Sequence, residues 1–268
     1  MAVQSGGSTP TLWQIQISHY SEKARWAIDY KGVDHVRRAP LPGMHIPIAL
    51  WLTRGAHPTF PVLELDGRRI GDSTAVIAAL EERYPEPPLY PEDPAERARA
   101  LALEDFFDEE AGPQMRHLAF YELINEPEMV AEVAAEMAPA ALAKSKAVAG
   151  AYARVYTSVR FGANKREGAE LAKAKIAAAI DRLDAELEAN GGEFLVGDRF
   201  SVADLTAASI LYPLVRPPEG PQPVDAPSPP AFERFREGFA DRPGFIWMEE
   251  MFRRHRAPAK PVVATAGL

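Results

Sequence analysis

From Leu12 to Ile17 the chain is apolar at its start and then alternates between apolar and polar residues from Trp13 on. Trp13, Ile15 and Ile17 share one face and Gln14 and Gln16 the other, which predicts a strand. The period then changes. A helix opens at Ser18 or His19 and runs to about Lys31, with Gly32 as its C-terminal stop. Asp34 to Ala39 reads as a weaker second strand, parallel to the first if the helix is the crossover between them. His45 to Thr53 is a short apolar helix or turn. Val62–Leu65 and Arg68–Ile70 form a hairpin, because Asp66-Gly67 suits the two-residue turn whose twist matches that of its strands. Ser73 to Arg83 is a helix with Val76, Ile77 and Leu80 on its apolar side.

Prolines 85, 87, 88, 91 and 94 then break regular structure, which places a linker at about residues 84–93. Beyond it the pattern is helical throughout, with helices over 94–122, 128–161 and 167–190, rich in Ala, Glu, Leu and Arg. Ser201-Val202-Ala203-Asp204 is a capping box, with Phe200 and Leu205 placed as its hydrophobic staple. Pro217 to Pro230 is a Pro-rich loop, followed by one or two helices through Arg254 and a tail. A β-α-β unit, a hairpin and a helix thus precede an all-helical block. The expected architecture is an α/β domain of thioredoxin-like order over residues 10–84 and an all-α domain over residues 94–256.

Composition narrows the function. The 268 residues suit two modest domains, with ordinary globular proportions of 47% hydrophobic and 25% charged residues. A formal net charge of -8 without a dense Lys/Arg cluster argues against a nucleic-acid partner. No apolar run approaches the ~18 residues of a membrane span, and Met1 to Pro10 has neither the charged start nor the apolar core of a signal peptide, so a cytoplasmic location is expected. The chain has no cysteine, which removes disulfides, thiolate metal sites and any protein thiol nucleophile; none of its six histidines pairs with another at metal-ligand spacing, so no metal is expected.

Three places carry candidate chemistry. Pro61 cannot donate to a ladder, so it belongs at an edge or a strand start. A cis Phe60-Pro61 bond would turn the chain and offer the backbone of Val62 to an extended ligand, yet cis bonds are only about 5–6% of those before proline and an ordinary trans strand start fits the proline alone better. Asp72-Ser73 reads first as a helix cap worth about 1 kcal/mol. The same free amides and positive helix end also bind an anion, and the Asp72 carboxylate can pair with an ammonium, so an amino-acid head would satisfy both. Ser18 sits where the first strand meets its helix. It is an N-cap in the simplest reading, and at the carboxyl end of a sheet strand it is also placed to stabilise a bound thiolate. Arg116, His117 and Tyr121 read as a helix face or a domain contact before a substrate site; Tyr152, Tyr156, Arg160 and Phe161 read as core or pocket wall. No Ser/His/Asp triad can be assembled.

Taken in order, Ser18-x-x-Ser21-x-Lys23-x-Arg25, Phe60-Pro61-Val62-Leu63, Asp72-Ser73, Phe194-Leu195-Val196-Gly197-Asp198 and Ser201-Val202-Ala203-Asp204 resemble the glutathione S-transferase family, over nearly the whole chain. The resemblance implies a thioredoxin-like N-terminal domain, a helical C-terminal domain and usually a homodimer. It implies a cis Pro61 and a glutathione site on the N-terminal domain. Ser18 then matches the residue that activates the thiol in the serine- and cysteine-type branches. Phe60, Pro61 and Val62 would meet the cysteinyl part, with the backbone contacts at Val62, and Asp72 and Ser73 would hold the γ-glutamyl head. A hydrophobic electrophile would bind between the domains near Tyr20, His45, Arg116, His117 and Tyr121. Phe60 stands where the family usually has Val or Ile, and the 125–165 block and the 217–230 loop are longer than in compact members. An Ala/Arg/Pro-rich composition suggests a GC-rich genome, for which another low-molecular-weight thiol can replace glutathione.

Two functions follow. The first is an enzyme that activates a bound thiol for attack on a hydrophobic electrophile, as a transferase, isomerase or lyase. The absence of cysteine disfavours the disulfide-reductase branch. The second is a non-catalytic ligand-binding or interaction protein on the same fold.

Overall fold

A computed structural model describes residues 9–40, 44–130, 151, 158, 165–221 and 228–256. Its described residues form two compact units, one made of residues 9–89 with His255 and Arg256, the other of residues 90–254. Among them no helix is long and apolar enough to cross a membrane.

The first unit is a four-stranded mixed sheet with helices. Strand β1 (Thr11–Trp13) leads through helix α1 (His19–Tyr30) to β2 (Val36–Arg38), which lies parallel to it. Helix α2 (His45–Leu52) precedes the hairpin of β3 (Val62–Leu65) and β4 (Arg68–Gly71), and helix α3 (Ser73–Arg83) follows. The strand order is β2-β1-β3-β4, with β3 antiparallel to both neighbours. Asp66 and Gly67 both have positive φ (49° and 77°), the conformation that a two-residue hairpin turn demands.

β1 is shorter than the strand expected over Leu12 to Ile17, and the reason lies in α1. Gln14 N–H still donates to Arg38 (2.9 Å), but the next polar groups leave the sheet. Ser21 Oγ accepts from Ile15 N–H (3.1 Å), and Arg25 donates to the carbonyls of Ile15 (3.3 Å) and Gln16 (2.9 Å). Side chains of the helix thus replace the ladder partners. α1 is accordingly buried on almost every side, charged residues included.

The segment after α3 is tied down. Lys31 Nζ binds Glu81 Oε1 (2.5 Å) and the carbonyls of Tyr84 (2.7 Å) and Pro87 (3.0 Å), and the Glu86-Pro87 bond is cis. The ammonium thereby takes up carbonyls at and beyond the α3 C-terminus, where a cation is favoured.

The second unit begins at helix α4 (Pro94–Asp105), with Asp93 as N-cap. The single helix expected over 94–122 is interrupted by a π-helical turn, Phe106–Ala111, before α5 (Gly112–Ile124). Pro113 has no N–H to continue an α register, and Gly112 N–H reaches five residues back to Phe107 instead. Helix α6 (Arg166–Ala189) buries Ala169, Ala172, Ile176, Ala179, Ile180, Leu183 and Leu187, one face at helical spacing. Helix α7 (Val202–Val215) is buried nearly all round and starts at the expected capping box. Helices α8 (Pro230–Glu237) and α9 (Pro243–His255) complete the described elements. The helix expected over 128–161, with Tyr152, Tyr156, Arg160 and Phe161, lies almost wholly outside the described residues.

Candidate active site

Ser18 is the N-cap of α1. Its hydroxyl oxygen accepts from Ser21 N–H (3.3 Å), and its carbonyl accepts from Glu22 N–H (2.8 Å). The cap bond is long and uses only an oxygen lone pair. The Ser18 O–H donates to no described residue, so it is available to an acceptor at the positive end of the helix. Tyr20 is half-buried beside it in sequence, with its ring 4.4 Å from that of His19.

The Phe60-Pro61 bond is cis. The Phe60 side chain is 2% exposed and packs with Trp13, Ala49, Leu52 and Val62, its ring 6.2 Å from Trp13 and 6.4 Å from His45. A larger residue at this position therefore fills the core rather than a pocket floor. His45, at the start of α2, belongs to the same packing.

The register sets where the backbone groups of Val62 point. β3 is an inner strand, and Val62 is paired with Trp13 on one side and Gly71 on the other. The two-residue turn makes Leu65 and Arg68 a hydrogen-bonded pair, and alternation then directs the Val62 N–H and C=O toward Trp13. The backbone just outside the sheet belongs to Phe60. Among the described residues its N–H has no partner, and its carbonyl is approached only by the Thr59 hydroxyl at 3.5 Å. The sequence signal was present in Pro61 itself: a residue without N–H marks where the ladder starts, so the unpaired groups precede it.

Asp72 and Ser73 open α3. Asp72 Oδ1 accepts from Thr74 N–H (2.9 Å) and Ala75 N–H (3.1 Å), and its φ of 76° is one that a side-chain-bearing residue rarely adopts. Its other carboxylate oxygen accepts nothing from the described residues, and Asp72 is exposed. Ser73 is buried, and its hydroxyl makes no hydrogen bond among the described residues. Lys23 on α1 donates to Thr74 Oγ1 (2.8 Å), linking the start of α3 to α1.

Arg116, His117 and Tyr121 lie on α5 in the second unit, each half-buried. The His117 ring sits against Gly168 of α6, where an added Cβ would come within 2.8 Å of Nε2. It therefore packs two helices together. Among the described residues no group of three or more His, Asp or Glu side chains could hold a metal.

The family model for the glutathione S-transferase N-terminal domain matches residues 12–88, and that for the C-terminal domain matches residues 129–243. The chain belongs to the glutathione S-transferase family. The N-terminal match contains Ser18, Phe60, Pro61, Asp72 and Ser73, whereas Arg116, His117 and Tyr121 fall between the two matched stretches. A probable maleylacetoacetate isomerase of Caenorhabditis elegans is 28% identical over 189 residues, covering 70% of this chain and 67% of that protein. A maleylacetoacetate isomerase of Anaeromyxobacter dehalogenans, solved with glutathione in its active site, superposes with a TM-score of 0.51 at 23% identity, over 94% of this chain and 98% of that one. A beta-etherase of a Sphingobium strain gives a TM-score of 0.59 at 19% identity, over 91% and 99%. At those identities the two structural matches speak for the fold.

Proposed function

We infer that this chain is a glutathione-dependent transferase or isomerase in which Ser18 activates the thiol. The observation that carries the reading is the Ser18 hydroxyl, an N-cap whose proton is uncommitted at the start of α1, in a chain with no cysteine of its own. If the site works on sulfur, the sulfur arrives with the ligand. Glutathione supplies that nucleophile.

The residues of the first unit suit such a peptide. The unpaired Phe60 N–H and its carbonyl can pair with the cysteinyl peptide group in extended geometry. The Ser73 hydroxyl and the start of α3 suit the γ-glutamyl carboxylate, and the outer oxygen of Asp72 its ammonium. The Ser18 O–H donates to the thiolate and, with the helix end, lowers the pKa of the thiol. Attack on an apolar electrophile makes a thioether and expels a leaving group. In the isomerase variant, addition to an activated alkene, rotation about the new single bond and elimination return the thiol unchanged. The 28% identity to a maleylacetoacetate isomerase supports the second outcome. Family membership supports a homodimer.

Ser18→Ala tests the reading. A hydrogen bond to a charged acceptor is worth about 1.5–3 kcal/mol, so kcat should fall about 10- to 100-fold with glutathione and a maleyl ketone or nitroaryl halide, while loss of the N-cap lowers stability by only about 1 kcal/mol and the chain stays folded. Unchanged kinetics would remove Ser18 from the mechanism. Tight ligand binding without thiol-dependent turnover in the native chain would assign the protein to binding instead.

A further inference from the structure

The segment that ends α9 contributes a buried residue to the unit that carries Ser18. Arg256 directly follows α9, and its side chain is 1% exposed. Its Nε donates to Glu22 Oε1 (2.5 Å) and its Nη1 to Asp29 Oδ2 (2.8 Å), both on α1. The preceding residue, His255, accepts through its carbonyl from Trp26 Nε1 (3.0 Å). Glu22, Trp26 and Asp29 are spaced i, i+4, i+7 and share one face of α1, so two consecutive residues from the segment that ends α9 are clasped along that face.

The contacts continue to the site. The other oxygen of Glu22 accepts from Arg25 Nε (2.7 Å). Arg25 Nη1 donates to Gln14 Oε1 (2.7 Å) and to the Ile15 carbonyl (3.3 Å), and Nη2 to the Gln16 carbonyl (2.9 Å). The Ile15 carbonyl also accepts from Ser18 N–H (3.1 Å). Arg256, Glu22 and Arg25 therefore form an unbroken buried relay to the loop that ends at Ser18. The two carboxylates are not equally dependent on Arg256. Asp29 also pairs with Arg37, whose Nε donates to His35 Nε2 (3.0 Å). Glu22 Oε1 has Arg256 as its charged partner.

We propose that Arg256 is a positioning residue for Ser18, acting through Glu22 and Arg25 on the loop before α1. The proposal rests on the reading of Ser18 given above. Without Arg256, a buried carboxylate oxygen loses its charge-assisted partner, which is costly. The Glu22 carboxylate then turns to share the donors of Arg25. A guanidinium is a rigid planar fork, so redirecting Nε redirects the two nitrogens that hold Ile15 and Gln16. The Ser18 hydroxyl loses its fixed aim, and small displacements of that kind are expensive in rate.

The experiment compares Arg256→Met, Arg256→Lys and Ser18→Ala in the full chain. It measures kinetics with glutathione and a nitroaryl halide, the pH profile of kcat/KM, and amide hydrogen exchange of residues 14–18. Arg256→Met should lower kcat about tenfold, leave the KM for glutathione within about twofold, and raise the apparent pKa of the thiol. Exchange at residues 15–18 should accelerate while the β3–β4 hairpin keeps its protection. Arg256→Lys retains the charge without the fork, so it should fall between, and it decides the matter if the Met variant does not fold. Wild-type loop exchange in the folded Arg256 variants overturns the proposal, as does faster exchange with an unmoved pH profile while Ser18→Ala is impaired. If Ser18→Ala is fully active, the Ser18 reading fails; loop exchange in the Arg256 variants then still shows whether the clasp anchors the loop.

Discussion

Asp72 does two things with two oxygens. Oδ1 caps α3 through two backbone amides, and the other oxygen faces outward with no described partner. The two roles separate by substitution. Asn is as good an N-cap as Asp and tolerates positive φ, so Asp72→Asn should leave the thermal midpoint nearly unchanged while raising the glutathione Kd about tenfold. Asp72→Ala should also lose about 1 kcal/mol of stability. Calorimetry and thermal unfolding on both variants check this, and equal glutathione affinity in Asp72→Asn and the native chain would refute the ammonium contact. The cap was legible from Asp72-Ser73 before an apolar run. The φ of 76° was not, because an N-cap residue ordinarily takes an extended conformation. Phe60 is the counterpart case: the proline marked the place, but only the register showed that the open backbone groups precede Pro61 and that Val62 is engaged.

At the scale of elements, the capping box of α7 is the clearest agreement between sequence and structure. Asp204 accepts from Leu195 N–H, Ser201 N–H and the Ser201 hydroxyl, each at 2.8 Å. Burial nonetheless dominates and pushes its carboxyl up from 3.8 to about 6, the hydrogen bonds to the ionised form offsetting only part. The folded value lies above the unfolded one, so the folded state holds the proton longer. Stability from this group is therefore greatest below the unfolded value and declines as pH rises from about 4 to about 6, by on the order of 3 kcal/mol. Urea titrations across that range should show the decline in the native chain. Asp204→Asn should be less stable near pH 4 and lack that component; an identical slope would place the proton elsewhere. The interrupted helix and the shortened first strand show the limits of periodicity. Pro113 was visible, but whether a helix stops or widens into a π turn depends on what surrounds it. The 13–17 alternation was real, yet Arg25 and Ser21 took the backbone groups that the strand needed.

Across the whole molecule, the least legible feature is the charge network on α1. Glu22 and Arg256 are 234 positions apart. Burial alone raises the Glu22 carboxyl, but the charges of Arg25 and Arg256 and their hydrogen bonds outweigh it and hold the group below its usual 4.5. The folded value lies below the unfolded one, so its contribution is present above pH 4.5 and is lost as pH falls through the depressed value. Acid unfolding should thus be shallower in Glu22→Gln than in the native chain over that window, below the one in which Asp204 acts. Equal acid slopes would argue that the pair is not formed in solution.

Legible in the residues alone were the order of the described elements, the turn at Asp66-Gly67, the caps at Ser18, Asp72 and Ser201, and through them the family. These are local matters of backbone conformation and side-chain reach, settled within a few residues. Tertiary structure alone decided which backbone groups stay open at Phe60, why β1 ends at Trp13, and how α1 buries its charges against a residue far away in sequence. A buried ion must find its partner in space, and no spacing along the sequence records where that partner will be.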